Sequence, residues 1–156
     1  MRAIVKPGWV VCEPRALNPC GRVLLSARNV MPFDLVIDVE NKPGALAQVA
    51  AAVSDAGVNL AAATCIGAGE QAELHILVPH PGAARHSLST VHLTASRERE
   101  VVVVDVEDNP GVLADLARKI AQAGINLDLV YIATRNRVVF GAPDLNALRA
   151  VLDPSG

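Results

Sequence analysis

Apolar positions along the chain recur with two different spacings. Short runs rich in valine and isoleucine, such as residues 34–39 and 101–106, alternate between two faces and predict β-strands. Longer stretches after them place apolar residues three and four apart, which predicts amphipathic helices. The pattern is also duplicated, because twelve of the 23 residues at positions 38–60 are identical to those at 105–127. The chain is therefore predicted to contain one structural unit twice.

Each copy predicts the element order β-α-β-β-α, and the first copy adds a fourth strand. A strand leads through a Pro-Gly pair into a helix, with proline at the first helical position, and a glycine ends that helix in the left-handed conformation. A hairpin follows, and then a second helix that begins near Pro81 or Pro143. We expect the fourth strand at residues 91–96, whereas the second copy has no room for one. These elements predict an α+β fold of two antiparallel sheets with helices on one face of each.

The second face of each predicted sheet is also apolar. Val36, Val101, Val103, Val130 and Ile132 should point away from the helices of their own copy if the alternation holds. Sheets with two apolar faces pack against each other or against a partner, and a unit of about 60 residues is only marginally stable alone. We therefore expect contact between the copies within one chain and a homodimer between chains.

Composition narrows the classes of function. The 156-residue chain has a net charge of −2 and no cluster of Lys or Arg, which argues against a nucleic-acid partner. No apolar run reaches the roughly 20 residues that a membrane helix needs, so no membrane association is predicted. Three cysteines at irregular spacing indicate a reducing compartment, and we expect a cytoplasmic protein.

Candidate chemistry is sparse along the chain. The four histidines show no metal-ligand spacing, and the sequence lacks a nucleophile motif or a cofactor fingerprint. We therefore predict no metal, no cofactor and no catalysis. Cys65 is expected in the core as a small apolar residue, and His75 on the outer face of its sheet.

The segments ENKPGALAQVAAAVSDAGVNL and EDNPGVLADLARKIAQAGINL resemble the signature of the ACT domain, a small regulatory module of amino-acid metabolism. The resemblance covers roughly residues 33–152 and implies two ferredoxin-like βαββαβ modules in tandem, the second lacking its last strand. With it we divide the chain into an N-terminal extension (1–32), a first module (33–97) and a second module (98–153). It further implies that an amino acid binds at an interface between modules, in a protein without an attached catalytic domain.

The strand-to-helix turn is the predicted ligand site. Backbone N–H groups that open a helix are unpaired and partly positive, so they suit a carboxylate, and glycine lets a ligand approach closely. Asn41 and Asp108 would accept from a ligand ammonium group, or serve only in the turn. Asn59 and Asn126 would bind ligand or a local backbone group, since asparagine is disfavoured in strands. The predicted ligand-binding residues are Asn41, Gly44, Ala45, Leu46 and Asn59, and Asp108, Gly111, Val112, Leu113 and Asn126.

The sequence leaves open alternatives to an independent amino-acid-binding regulator. The first segment also resembles the first ACT module of the acetolactate synthase small subunit, which implies a biosynthetic enzyme as partner. A scaffold whose modules dimerise and bind no ligand is a second alternative. For the N-terminal extension there are two hypotheses: Met31 is the physiological start, or residues 22–28 form a strand that fills the vacant edge of the second copy.

Overall fold

The computed structural model describes residues 32–152, and its secondary structure repeats one pattern twice. The first module contains β1 (Phe33–Glu40), α1 (Ala45–Asp55), β2 (Ala62–Ala68), β3 (Gln71–Val78), α2 (Pro81–Thr90) and β4 (Ala95–Glu100). The second module contains β5 (Val102–Asp105), α3 (Val112–Gln122), β6 (Leu129–Ala133), β7 (Arg137–Gly141) and α4 (Leu145–Leu152). Between residues 32 and 152 no helix is long and apolar enough to cross a membrane. The hypotheses about Met31 and about residues 22–28 lie outside this range.

Each module is built on one antiparallel sheet. The strand order is β2-β3-β1-β4 in the first sheet and β5-β7-β6 in the second. This is the ferredoxin-like arrangement, so the predicted α+β fold of two such modules is confirmed. Among the described strands, β5 lies at an edge, because the position that β4 takes beside β1 has no counterpart in the second sheet.

Three hydrophobic clusters hold the molecule together. In the first module, alternate residues of β1 and β3, such as Leu35, Ile37 and Leu74, are fully buried under α1 and α2. Phe140 on β7 has the same position under the helices of the second module. The third cluster lies between the two sheets, on the faces that point away from the helices, and consists of Ala62, Leu77, Val101, Tyr131, Ala133 and Val139. The apolar second faces of the sheets therefore reflect packing of one module on the other.

Two of the five residues expected on these second faces lie on the other side. Val130 and Ile132 stand opposite Phe140 and Val138 in the β6–β7 ladder, so they share the helix-facing side of the sheet. Both are exposed, because β6 is an edge strand. The inter-module face of β6 is formed instead by residues such as Tyr131. Alternation alone could not set the phase of this strand, since nearly every residue in it is apolar.

The first helix of each module begins later than expected. Pro43 and Pro110 do not occupy the first helical position, because Gly44 and Gly111 intervene with φ of +94° and +96°. A residue in this left-handed region cannot continue a right-handed helix, so the proline belongs to the preceding turn. We call residues 41–44 the first Pro-Gly turn and residues 108–111 the second Pro-Gly turn.

The strands after these helices and at the end of the first module are also displaced from their expected positions. The fourth strand is Ala95–Glu100 and not residues 91–96. The division expected between residues 97 and 98 therefore lies inside β4, in a stretch of alternating charges. Alternating charges are tolerated there because β4 is an edge strand with largely exposed side chains. The second strands start only at Ala62 and Leu129, which leaves Asn59 and Asn126 in the preceding connections.

The edge strand β2 is more exposed than its sequence suggests. Cys65, expected in the core, is exposed, and so is Ile66 on the opposite face of the strand. The hairpin that follows has only Gly69 and Glu70 between β2 and β3. An edge position without a neighbouring strand explains both exposures.

Candidate functional site

The first Pro-Gly turn presents an open helix N-terminus. Gly44 is the N-cap of α1, and no side chain of the described residues caps this helix. The first helical hydrogen bond runs from the N–H of Gln48 to the carbonyl of Gly44 (2.9 Å). The N–H of Ala45 donates to the carbonyl of Lys42 at 3.3 Å, whereas that of Leu46 has no acceptor inside the helix. Apart from Gly44 and its chain neighbours, no atom of residues 32–152 lies within 4 Å of the position that a Cβ on Gly44 would take. A small anion therefore has access to the N–H of Leu46 at this helix N-terminus.

The second Pro-Gly turn repeats this geometry. Gly111 is the N-cap of α3, again without a side-chain cap from residues 32–152. The N–H of Asp115 donates to the carbonyl of Gly111 at 2.9 Å, and the space beside Gly111 is equally open. The duplicated sequence therefore produces the same backbone site in both modules.

The first two residues of α1 and of α3 are apolar, and they divide into a partly buried and an exposed pair. Ala45 and Val112 pack partly against the cores of their modules. Leu46 and Leu113 are 49% and 43% exposed. Each open helix N-terminus therefore has an exposed leucine beside it.

The side chain of Asn41 ties the first Pro-Gly turn to the β2–β3 hairpin. Its Nδ2 donates to the carbonyl of Gly69 at 2.9 Å, and its backbone N–H donates to the carbonyl of Glu70 at the same distance. A Cβ on Gly67 would come within 2.9 Å of that Nδ2, so the absence of a side chain there makes room for the contact. The amide nitrogen of Asn41 is therefore structural, which leaves its Oδ1 as the atom that can accept from a ligand.

The two turns share one polar contact but use different residues for it. In the first, Lys42 forms an ion pair and hydrogen bond with Glu40, which lowers the pKa of the Glu40 carboxyl. In the second, Asn109 donates to Glu107 at 2.9 Å from the equivalent position. The same acidic residue is thus held in both modules, by a cation in one and by a neutral amide in the other.

The two sites differ in charge. The first Pro-Gly turn carries a formal charge of +1 from Lys42, and the second carries −1 from Asp108. The first turn of α3 also contains Asp115, whereas α1 has no acidic residue there. Negative charge at a helix N-terminus competes with a bound anion for the same partial positive charge. The first turn therefore repels a carboxylate group less than the second turn does.

Asn59 and Asn126 do not join the other predicted site residues within their own modules. Both are exposed, in the connections that follow α1 and α3. Because α1 contains 11 residues, Asn59 lies about 16 Å along the helix axis from Gly44, at a rise of roughly 1.5 Å per residue. One small ligand cannot contact both residues of the same module.

A buried polar cluster between the modules was not predicted. Asp34 on β1 is fully buried, and its carboxylate accepts a hydrogen bond from the Tyr131 hydroxyl of the second module at 2.9 Å. Nδ1 of His75 lies 2.9 Å from the other carboxylate oxygen, and Nε of Arg99 lies 3.5 Å from it. Burial, followed by the nearby Asp34 charge, raises the pKa of the Tyr131 phenol.

The sequence contained only a weak signal for this cluster. His75 does lie on the face of β3 that points away from the helices, as expected, but the second module covers that face. The signal was an aspartate at the start of an apolar strand, together with one tyrosine in another. To predict their contact, one must know how the two sheets pack on each other, and this packing cannot be predicted from a single sequence.

The surface of the described residues includes the following two depressions. One lies beside the first Pro-Gly turn and is lined by Glu40, Asn41, Lys42, Glu70 and Gln71. The larger one lies between β4, the start of β6 and the start of α4. Its arginines already contact acidic groups, since Arg99 donates to Asp128 at 3.0 Å and Arg149 to Glu100 at 3.1 Å. Residues 32–152 contain no group of His, Cys, Asp and Glu that could hold a metal ion.

Comparison with known proteins finds a family model and solved structures that this chain resembles. Residues 33–85, from β1 into α2, match the model of the ACT domain. No curated protein matches the chain. Among solved structures, protein BT0572 from Bacteroides thetaiotaomicron is 26% identical, with a TM-score of 0.70 over 80% of this chain and 88% of its own.

Regulatory subunits of aspartate kinase share the fold. The subunit from Thermus thermophilus, in its ligand-free form, is 19% identical, with a TM-score of 0.60 over 78% of this chain and 91% of its own. The subunit from Thermus flavus is 18% identical, with a TM-score of 0.56 and the same two coverages. At this identity the likeness concerns the fold alone. The chain is therefore similar to the ACT domain over residues 33–85, and similar to these solved structures in its fold.

Proposed function

We propose that this protein is a non-catalytic cytoplasmic regulator that binds a small amino acid at its Pro-Gly turns. The supporting observation is the duplicated helix N-terminus, uncapped by the described side chains and open beside a glycine in the left-handed conformation. Such a site offers backbone donors and partial positive charge to a carboxylate. The similarity of residues 33–85 to the ACT domain supports a regulatory role for it.

The ligand carboxylate would accept from the N–H groups at the start of α1 or α3. Its ammonium group would donate to Oδ1 of Asn41 in the first site, or to the carboxylate of Asp108 in the second. The exposed side chains of Leu46 and Leu113 would contact the aliphatic part of the ligand. Charge at the two turns makes the first site favour the carboxylate and the second favour the ammonium group.

We further propose that each site is completed by a facing module. Asn59 and Asn126 are too far from the glycine of their own module, so they would reach a ligand only from another module. A homodimer supplies such a partner, and exposed apolar residues on both edges, including Ile66 and Ile132, favour one. Ligand at such an interface would signal by stabilising one arrangement of the modules over another.

The test is a screen of the twenty amino acids by thermal shift, with calorimetry on those that raise the melting temperature. A ligand that binds only the native form stabilises it in proportion to its concentration over its Kd. We expect at least one small amino acid to bind with a stoichiometry set by the two turns. If all twenty leave the melting temperature and the heat signal unchanged, the scaffold alternative replaces this proposal.

A reciprocal exchange of turn residues locates the site. Asn41→Asp with Lys42→Asn gives the first turn the polar residues of the second, and Asp108→Asn with Asn109→Lys does the reverse. We expect the first exchange to weaken carboxylate binding several-fold and the second to strengthen it, since a unit charge near a surface site is worth about 1 kcal/mol or more. Unchanged affinities in both exchanged proteins would place the ligand elsewhere.

A regulatory subunit of a biosynthetic enzyme is the alternative. The fold likeness to the aspartate kinase regulatory subunits extends over 91% of their length, which favours a chain of two modules that acts on a separate catalytic subunit. The acetolactate synthase small subunit is the other precedent that the sequence resembles. Stoichiometric co-purification with a catalytic enzyme, released or tightened by the bound amino acid, would distinguish this role from an independent regulator.

A further inference from the structure

The second sheet has a strand edge with no partner among the described residues. β5 (Val102–Asp105) lies at the end of the order β5-β7-β6, so one row of its N–H and C=O groups faces away from β7. In the first module the same row of β1 pairs with β4. The edge consists of valines followed by one aspartate, without the lysine, proline or bulge that usually protects such an edge. Folded proteins usually cover or protect an edge of this kind.

The direction of the free groups can be derived from two hydrogen bonds. The N–H of Val106 donates to the carbonyl of Asn136 at 2.8 Å, toward β7. N–H groups alternate sides along a strand, so those of Val103 and Asp105 point away from β7. The N–H of Val101 has the same phase, and it donates to the carbonyl of Pro32 at 3.2 Å. The free edge of β5 therefore faces the side on which Pro32 lies.

The register follows from the ladder between β1 and β4. Phe33 pairs with Glu100 and Asp34 with Arg99 in the antiparallel sense, and the bond from Val101 to Pro32 continues this ladder by one step. Each step back along the chain from Pro32 corresponds to one step forward along β5. If this ladder continued beyond Pro32, Val30 would stand opposite Val103. No connecting loop is needed, and the antiparallel sense is the one that β4 has beside β1.

We propose that the free edge of β5 is the docking site for the segment that immediately precedes Pro32, which supplies the missing fourth strand of the second sheet. Continued to Asp105, the register places Arg28 opposite it, and opposite charges across a strand pair stabilise the pairing. The same register puts Val30 beside Val103, on the face that packs against the first module. Each sheet would then have four strands. β4 is the fourth strand of the first sheet, and the N-terminal segment would be the fourth strand of the second.

Hydrogen exchange of two amides tests this docking in the full chain. We expect the N–H groups of Val103 and Asp105 to exchange at least tenfold more slowly in the full chain than in a variant that starts at Met31, at every protein concentration. Equal exchange in the two proteins overturns the proposal. Protection that appears only at high concentration overturns it too, because it would assign the edge to a second copy.

A disulfide test keeps the proposal falsifiable if the shortened chain does not fold. In a full chain whose three natural cysteines are replaced by serine, Val30→Cys with Val103→Cys should form an intramolecular disulfide. Directly opposed residues of an antiparallel pair have Cα atoms about 4.5–5.5 Å apart, which suits a disulfide. Asn29→Cys with Val103→Cys is the matched control, since Asn29 would point to the opposite face. Non-reducing mass spectrometry that finds no bond in the first pair, equal bonding in both, or only intermolecular bonds contradicts the proposed register.

Discussion

Asp34 is a fully buried carboxylate whose partners come from both modules. His75 and Arg99 belong to the first module, and Tyr131 belongs to the second. A buried charge is stable only when several donors hold it, so the loss of any one partner leaves an incompletely solvated carboxylate between the sheets. At the scale of single residues, this cluster fixes the relative position of the modules more specifically than apolar contacts can.

The raised pKa of Tyr131 gives a direct test, because it is the only tyrosine of the chain. A group whose pKa is higher in the folded state contributes stability that is complete below its unfolded pKa, here an ordinary 10.0, and that declines as the pH rises above it. We expect no tyrosinate absorbance at 295 nm at pH 10 in the native protein, and ionisation only together with unfolding at higher pH. The Tyr131→Phe variant is the blank. Half-ionisation near pH 10 with the fold intact would contradict the buried geometry.

Gly111 shows why one residue type recurs at both turns. At φ +96° an L-residue is strained, and no neighbouring atom would hinder its side chain. Gly111→Ala should therefore lower the free energy of unfolding by about 1–2 kcal/mol through the backbone alone. Gly82→Ala is the matched control, since Gly82 has equal space in the first turn of α2 but no positive φ. Urea denaturation should show that variant unchanged or more stable; similar losses in both would exclude backbone strain as the cause.

At the scale of elements, the sequence predicted the order of strands and helices but not every face. The helices α1 and α3 were predicted from the Pro-Gly pairs, the helical spacing and the helix-ending glycines. Gly57 and Gly124 have the left-handed φ expected of them. The failures lie on edge strands. β2 and β6 are apolar on both sides, so the pattern could not indicate which side is buried, and Cys65 and Ile132 proved exposed.

The candidate site was predictable only in part, for a related reason. Local chemistry specifies the open N-termini at Gly44 and Gly111, because turn geometry depends on adjacent residues. The distance from Gly44 to Asn59 depends on the whole length of α1, and the Asp34 cluster depends on how two sheets meet. Contacts of that range are set by tertiary packing, which residue spacing within one element does not encode.

The contact between β6 and β7 yields a prediction about strand packing. A Cβ on Gly141 would lie 2.9 Å from Cβ of Leu129, an atom fixed to the β6 backbone. Gly141→Ala must displace a strand and should cost about 1–3 kcal/mol. Gly67→Ala is the control, because the nearest atom there is the Nδ2 of Asn41, at the end of a side chain that can move. If Gly141→Ala lowered the free energy of unfolding no more than Gly67→Ala, β6 would be shown to adjust freely.

At the scale of the whole molecule, the third cluster and the Asp34 bonds predict that the two modules unfold together. Leu148→Ala removes a fully buried side chain from the second module and should cost about 2–5 kcal/mol. We expect the slowest amides of β3, in the first module, to lose the same free energy of protection by hydrogen exchange. Asn146→Ala, exposed on the same helix, should leave them unchanged. If β3 keeps its protection while the second module opens, the modules are independent.

Val101 alone separates the last strand of one sheet from the first strand of the next, and it is buried at their junction. The connection is too short to act as a flexible linker, so one module cannot rotate freely relative to the other. Any tilt of one module against the other therefore requires the side chains of the interface between the modules to repack. Two ligand sites in such a molecule would be coupled through this rigid interface between the modules.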